Sequence, residues 1–503
     1  MIMGGVLSGC QRKPEGEKEQ TEELIFYIHA PQPTEQERIM KKANKIIEEE
    51  IGVTLKLIMV DPIMYSEKMN LLTISGEPWD LCFVSNEGGN HFYENAQEGA
   101  YADLTELLPK LAPETYKRIP KSLWKSVTID DKIYASVNYQ QWGAASRSGF
   151  RFRFDLAQET EFDWRTLKDK PTLEVLKATG EFIGKSLEKH PDMVGWETTA
   201  TKSFFADMPL YWDMEEIGEM RTPGWIRYTD PKLVINQFET DEFREYCHIM
   251  REWHEKGYIR RDGATIQDIA SDRKAAKIIA EAATGWPDSI DCPDNMDMGK
   301  MSMCTKDIAP AVGISNTRTI LTAGAGIRAA VAVNANSKQI EKAVELIELL
   351  NTNDELYLLL TEGEEGIDYK YDKDGNIQRI DGKYNLNYNE WQIGQSYSPK
   401  FTRTLYDRNE GGEKQKEAQQ IVFDADRTTE VSPLMGFVFD PSGVEVEIAK
   451  CSVIIEEMIP VLSSGTVDPD SVLPEFLNRL EMAGVDRIIE EKQEQLDEFY
   501  AIK

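Results

Sequence analysis

Apolar residues recur along this chain in two periods, and the order in which those periods alternate predicts its architecture. Leu24 to Ala30 is a short apolar run of strand type. Thr34 and Glu37 have the spacing of a capping box, and Ile39, Met40, Ala43, Ile46, Ile47 and Ile51 follow at helical spacing until Gly52. Val53, Leu55, Leu57 and Met59 then alternate with other residues as a strand. A second helix, Tyr65 to Ile74, ends at Gly76, and Asp80 to Ser85 reads as a buried strand. This β-α-β-α-β order predicts an α/β fold with a mostly parallel sheet and helices on its faces. Ligands of such sheets bind beyond the carboxyl ends of the strands, which places Ser85, Asn86 and Glu87 near a site.

The rest of the chain continues in the same style. Ile129 to Ala135 reads as a hairpin, and Thr172 to Glu188 as an amphipathic helix with Leu173, Leu176, Phe182, Ile183 and Leu187 on one face. Thr240 to Lys256 is another helix, ended by Gly257. Ile308 to Asn334 returns to strand-like runs broken by Gly324 and Gly326, Lys338 to Leu350 is helical, and the stretch from Val444 is mostly helical. That last region turns at Gly465 to Pro469, and its final helix starts at Asp486. At 503 residues the chain exceeds one compact core, so two lobes or more are expected. With no internal repeat and no long low-complexity linker, the lobes are expected to interleave. We expect lobe 1 at 24–137 plus 307–337 and lobe 2 at 138–306 plus 338–503, with a helical region over 436–503.

Charge narrows the partners. Eighty-eight acidic against 57 basic residues give a net charge of −31, which repels phosphate backbones and argues against nucleic acid. No run reaches the roughly 20 apolar residues needed to span a bilayer. The N-terminus offers another attachment. Leu7-Ser8-Gly9-Cys10 resembles the lipobox of bacterial lipoproteins, which implies acylation of the Cys10 thiol, loss of the preceding peptide and an extracytoplasmic, membrane-tethered protein. Residues 1–9 are then expected to be the tail of a longer signal peptide, since they hold no Lys or Arg before the apolar part. Residues 10–23, polar and charged, suit a tether. The other cysteines, Cys82, Cys247, Cys292, Cys304 and Cys451, are too sparse for a disulfide framework, with Cys292 and Cys304 the one candidate pair. The five histidines form no metal cluster; His248 and His254, six apart, fall on different helical faces.

Four segments carry a family resemblance. Leu71-Leu72-Thr73-Ile74-Ser75-Gly76-Glu77-Pro78-Trp79-Asp80-Leu81 enters a strand through Gly-Glu, an aromatic and Asp-Leu. Ala100-Tyr101-Ala102-Asp103-Leu104-Thr105 is followed by Ile129 to Ala135, similar to a "D-G-K-I-Y-A" hairpin with Asp131 in the usual Gly position. Gly363 to Tyr369 precedes a turn at Asp374-Gly375-Asn376. Gly436-Phe437 leads through Ala483-Gly484-Val485-Asp486 to Gln493-Glu494-Gln495-Leu496. In this order they resemble the extracellular solute-binding lipoproteins of bacterial ABC importers, in the carbohydrate-binding branch, with the C-terminal domain of unknown function of one subgroup. The resemblance implies a two-lobed fold with a hinge, closing on a solute, an oligosaccharide foremost, and docking on the importer's membrane subunits. It implies a monomer that needs no catalytic residue, metal or cofactor.

Sugar rings stack C–H patches on aromatic faces while amides read their hydroxyls, so loop aromatics are the candidate ligand contacts. Tyr139-Gln140-Gln141-Trp142, near the first lobe crossing, mixes both kinds of group. Gly285-Trp286-Pro287 places Trp286 in a turn, and Trp212, Trp225 and Trp391 also sit in loop-like sequence. The candidate ligand set is therefore Asn86, Tyr139, Gln141, Trp142, Trp212, Trp286 and Trp391. Three sharper signals fail. Gly324-Ala325-Gly326-Ile327-Arg328-Ala329 fits a loose dinucleotide fingerprint, but a strand-like Ala330 to Val333 follows where a helix is required. Asp372, Asp374 and Asn376 suit the start of a calcium loop whose twelfth position, Lys383, lacks the carboxylate. Carboxylate runs such as Glu48-Glu49-Glu50 are solvated helix faces. The competing readings are a secreted carbohydrate-active enzyme, which needs a carboxylate pair across a cleft, and a peptide-binding or sensory receptor.

Overall fold

A computed structural model describes residues 22–85, 90, 92–139, 148–284, 299–300, 310–371, 373, 377–386, 390–394, 424 and 426–502. Two sheets organise them. Lobe 1 holds β1 (Glu23–His29), β2 (Thr54–Val60), β3 (Leu81–Val84), a short hairpin of β4 (Thr128–Ile129) and β5 (Lys132–Ile133), and β6 (Ala135–Val137). Lobe 2 holds β7 (Ser148–Arg153), β8 (Val194–Trp196), a small sheet of β9 (Met214–Glu216), β10 (Trp225–Arg227) and β11 (Asp230–Ile235), then β12 (Ile278–Thr284), β13 (Gly299–Lys300) and β14 (Pro310–Ser315). The chain then returns through β15 (Ile320–Leu321) to lobe 1 as β16 (Ala330–Val333).

The lobe 1 sheet has the order β2-β1-β3-β16-β6. Its opening is the expected parallel unit, with α1 (Gln36–Ile51) and α2 (Tyr65–Ser75) as crossovers. β16 runs antiparallel between β3 and β6, so the carboxyl ends of β1, β2, β3 and β6 share one edge with the start of β16. Lobe 2 has the order β13-β14-β7-β12-β8. There Ser148, Thr284 and Ser315 meet at one edge, because Thr284 pairs with Ser148 and Ser315 with Gly149.

The division of the chain differs from the expected one at two places. β14 pairs with β7 and so belongs to lobe 2, whereas the expected boundary gave 307–337 to lobe 1. The helices Ile340–Thr352 and Asp354–Glu362 and the hairpin of β17 (Tyr369–Tyr371) and β18 (Ile377–Arg379) pack on lobe 1 and not on lobe 2. Val344, Ile347, Leu350, Leu356, Leu360 and Tyr369 share a core with Phe26, Leu55 and Phe83. Ion pairs from Arg38 on α1 to Glu364 and Asp368 fix this layer. A third crossing therefore leaves lobe 1 beyond Gly394 and emerges at β19 (Glu430–Val431), parallel to β15. The rest of the chain, as expected, is helical: Glu445–Ser463, Pro469–Ala483 and Val485–Ile502 pack on lobe 2.

Local chemistry explains most element ends, with one correction. Thr34 does not cap α1: Glu35 lies in the left-handed region at φ 62°, no side chain caps the helix, and Gln36 instead donates to the Leu57 carbonyl at 2.9 Å. The β4–β5 hairpin turns on Asp130 and Asp131, both left-handed at φ 49° and 63°, so Asp131 adopts the backbone that a Gly would take there at no cost. β17 and β18 pair on either side of the rejected calcium loop, whose Asp372, Asp374 and Asn376 lie outside the described residues.

The helix Val485–Ile502 grips the small lobe 2 sheet. Gln493 accepts from the Val234 amide and donates to the Lys232 carbonyl, each at 2.8 Å, along the outer edge of β11. Lys492 is wholly buried, and its amine donates to the carbonyls of Ile217 at 2.5 Å and Pro223 at 2.6 Å. Burial pushes that amine down to about 7 from 10.5. A depressed amine releases its proton in the folded chain before the unfolded one, so its contribution is lost as pH falls towards 7 and grows as pH rises. Urea unfolding of the native chain against Lys492→Met should show their stability difference increasing between about pH 7 and 10, by on the order of 4 kcal/mol. A flat difference would show that the amine does not titrate.

Candidate functional site

The edge where the strands of lobe 1 end is also where the chain crosses to lobe 2. Tyr65, at the start of α2, donates to the Phe83 carbonyl at 2.8 Å and to that of Tyr27 at 3.2 Å, setting β1 and β3 side by side just before they end. His29 closes β1. The side chain of the buried Gln392 pairs with its backbone as a strand would, accepting from the His29 amide at 2.9 Å and donating to its carbonyl at 2.7 Å. Trp391 is thereby held at the edge, half-buried, with its ring edge-on to Phe83 at 5.0 Å and to His29 at 5.8 Å between centroids. Burial lowers the His29 pKa, which favours the neutral imidazole. The Trp391 carbonyl accepts from Asn138, whose own amide donates to Ala329. The arrangement leaves Trp391 and His29 half-buried at this edge, over the buried Phe83, while the buried Asn138 and Gln392 hold them in place through their backbone; an indole beside an imidazole suits stacking and hydroxyl recognition.

The expected ligand residues separate under this geometry. Trp391 lies at the edge. Tyr139 follows β6 at the same edge but is buried, its hydroxyl donating to Asp426 on the third crossing at 2.7 Å. It ties two crossings together. Trp212 is a packing residue of lobe 2, with 4% of its surface exposed, among Phe204, Phe205 and Tyr246. Its sequence looked loop-like because a single 3-10 turn, Pro209–Trp212, carries it into the core. Trp225 is likewise buried, in β10. Asn86, Gln141, Trp142 and Trp286 lie outside the described residues, as do Cys10, Cys292 and Cys304. In sequence Asn86 follows Ser85, Gln141 and Trp142 come two and three residues after Tyr139, and Trp286 two after Thr284; Ser85 and Tyr139 stand at the lobe 1 edge and Thr284 at an edge of the lobe 2 sheet.

Sequence reasoning missed His29, Asn138 and Gln392. The strand-end rule that selected Asn86 also applies to His29, the last residue of β1. Nothing in the sequence marks Gln392, whose partner is 363 residues away.

Residues 433–501 match the family described as a domain of unknown function, DUF3502. Over 482 residues, 95% of this chain and 90% of the relative, the chain is 28% identical to a carbohydrate ABC transporter substrate-binding protein of Streptococcus pneumoniae. The crystal structure of the N-glycan transport solute binding protein NgtS from the same species is similar with a TM-score of 0.78 at 26% identity, covering 95% of this chain and 99% of that one. Over nearly its whole length the chain is similar to the solute-binding proteins of ABC importers. The alginate-binding protein AlgQ2, at 16% identity over 95% of this chain and 98% of its own, shares the fold with a TM-score of 0.60. Such a solute-binding protein works outside the cytoplasmic membrane and is not an enzyme. Among the described residues no helix is long and apolar enough to cross a membrane.

Tyr139→Phe separates the two roles open to that side chain. Removing a donor from buried Asp426 should cost about 1–3 kcal/mol in urea unfolding. A loss of solute affinity with unchanged stability would instead make Tyr139 a ligand contact.

Proposed function

We propose that this binding protein captures an oligosaccharide of the N-glycan type between its lobes and hands it to an ABC importer. The carrying observation is the full-length likeness to NgtS, which has been crystallised with Man1GlcNAc and Man5GlcNAc; those complexes match this chain with TM-scores of 0.72 and 0.68. The half-buried Trp391 beside His29 supports the reading, because pyranose C–H faces stack on indole while the imidazole addresses a hydroxyl. Trp142 and Trp286 would complete the aromatic set from the loops that leave the two edges. Closure gains only what the solute's differential affinity for the closed form supplies. Lipidated Cys10, on the polar segment that precedes β1, would keep the closed form near the importer, and one chain suffices for the trap.

The test is thermal unfolding with mannose-containing oligosaccharides and peptides as controls. A solute at about 100 times its dissociation constant should stabilise by about 2.7 kcal/mol. Trp391→Ala should weaken binding about tenfold to a hundredfold, or about 1.4–2.8 kcal/mol. A shift with peptides alone would reject the sugar reading, and turnover of any oligosaccharide would reject the transport reading. Mass spectrometry of the protein from its native host should find a diacylglyceryl group on Cys10; an unmodified thiol would reject the tether.

A further inference from the structure

Glu215 occupies an unusual place. It lies on β9 in lobe 2, its side chain is buried, and it faces the two crossings that return from or lead to lobe 1. One carboxylate oxygen accepts from the Ala323 amide of the second crossing at 2.6 Å. The other accepts from the Ser432 hydroxyl of the third crossing at 2.5 Å, and that hydroxyl accepts in turn from the Leu434 amide at 3.0 Å. The crossings are also joined to each other, by the β15–β19 pairing and by the Ser432 amide donating to Leu321. One carboxylate thus fixes both strands of a two-stranded ribbon to lobe 2.

The lobe 1 ends of the same ribbon are held separately. Gly326 donates to the Ser126 hydroxyl at 3.1 Å, and that hydroxyl contacts the Met435 sulfur at 3.5 Å. A Cβ on Gly326 would stand 2.3 Å from the Leu123 carbonyl, so this approach requires glycine. Between the two anchorages lie only Gly324 and Ala325 on one strand, and Pro433 and Leu434 on the other. Without the Glu215 contacts Ala323 and Leu434 keep only their packing on the lobe 2 core, and the next hydrogen-bonded tie to lobe 2 is Arg318, paired with Asp213 at 2.7 Å and reaching Glu430 at 3.0 Å. The span available to bend would lengthen on both strands, and a given bend spread over more residues strains each less.

We propose that Glu215 is a positioning residue for lobe closure, a proton-operated latch whose ionised carboxylate holds both crossings to lobe 2 and whose protonation releases them to bend. The ionised form makes two charge-assisted hydrogen bonds, roughly twice as strong as neutral ones. A proton on the oxygen facing Ser432 turns that bond round, the carboxyl donating to a hydroxyl that already accepts from Leu434, and leaves the Ala323 amide a neutral acceptor, so both ties weaken. Burial raises the carboxyl to about 7, against the lowering influence of Ser432 and Ala323 and with a further rise from Glu216. The other titratable and charged groups facing it are Tyr228, with the Arg318 guanidinium over its ring at 4.6 Å, Tyr93 from lobe 1 and Tyr500 from the last helix. The phenols are all raised above their ordinary range, and Lys492, brought to about 7 by burial, reaches Glu216 and the Ile217 carbonyl and not the crossings, so Glu215 is the group bonded to both crossings that changes charge near neutrality.

The latch gives meaning to closure only if the protein is a solute trap, so it rests on that reading. Its test needs no solute. Hydrogen exchange of the unliganded protein, corrected for intrinsic rates, is followed in segments 320–326 and 430–436. Exchange should be about tenfold faster near pH 6 than near pH 8. Glu215→Gln, a neutral side chain of the same shape, should exchange fast at both values. Ser432→Ala should speed the 430–436 segment near pH 8 and leave the step in 320–326. Equal exchange at both pH values in the native chain, or a step that persists in Glu215→Gln, overturns the proposal. If the step is present while no solute alters the lobes, the trap reading fails and the latch stands.

Discussion

Lobe 1 cannot complete its sheet until the chain has been to lobe 2 and returned. β16 supplies the hydrogen bonds between β3 and β6, and the sequence between β6 and β16 builds most of the second lobe. The same pairing brings the carboxyl ends of β1, β3 and β6 to the edge where the crossings start. The candidate binding edge and the crossings between the lobes are therefore consequences of one arrangement. A third crossing follows because the helices Ile340–Thr352 and Asp354–Glu362 cover lobe 1 before the C-terminal helices cover lobe 2.

Much of this was legible in the sequence. The parallel opening could be read because α1 and β2 have clean periods, and the strand after Gly326 could be read well enough to dismiss a nucleotide site. The lobe to which Lys338–Leu350 belongs could not. An amphipathic helix displays an apolar face but not the identity of its partner, and here that partner is α1 with the lobe 1 sheet. Trp212 failed for a related reason: a four-residue turn is too short to show periodicity, so its burial among Phe204, Phe205 and Tyr246 left no trace. Gln392 and Glu215 act through partners far along the chain and leave no local pattern.

The motifs that carried the family resemblance prove to be scaffold. Asp80 accepts from the Ile25 amide at 2.8 Å and Asn334 donates to the Trp79 carbonyl at 2.8 Å, so the Trp-Asp pair ties β1, β3 and the end of β16 at the edge opposite the crossings. Thr105 accepts from the Ile133 amide at 2.9 Å, joining one motif to the hairpin that forms another. Gly363 sits against the Asp368 carboxylate, where a Cβ would come within 2.4 Å. These contacts frame lobe 1 away from the edge where the crossings start, and this is why the motifs speak to the architecture and not to the solute.

The grip of Gln493 on β11 has a consequence away from the hinge. An outer strand with bare amides and carbonyls is a template on which another molecule's strand can pair. Here a side-chain amide fills one donor and one acceptor on that outer strand, and the helix that bears it stands in the approach path. The C-terminal helices thus act as a guard against strand-to-strand association.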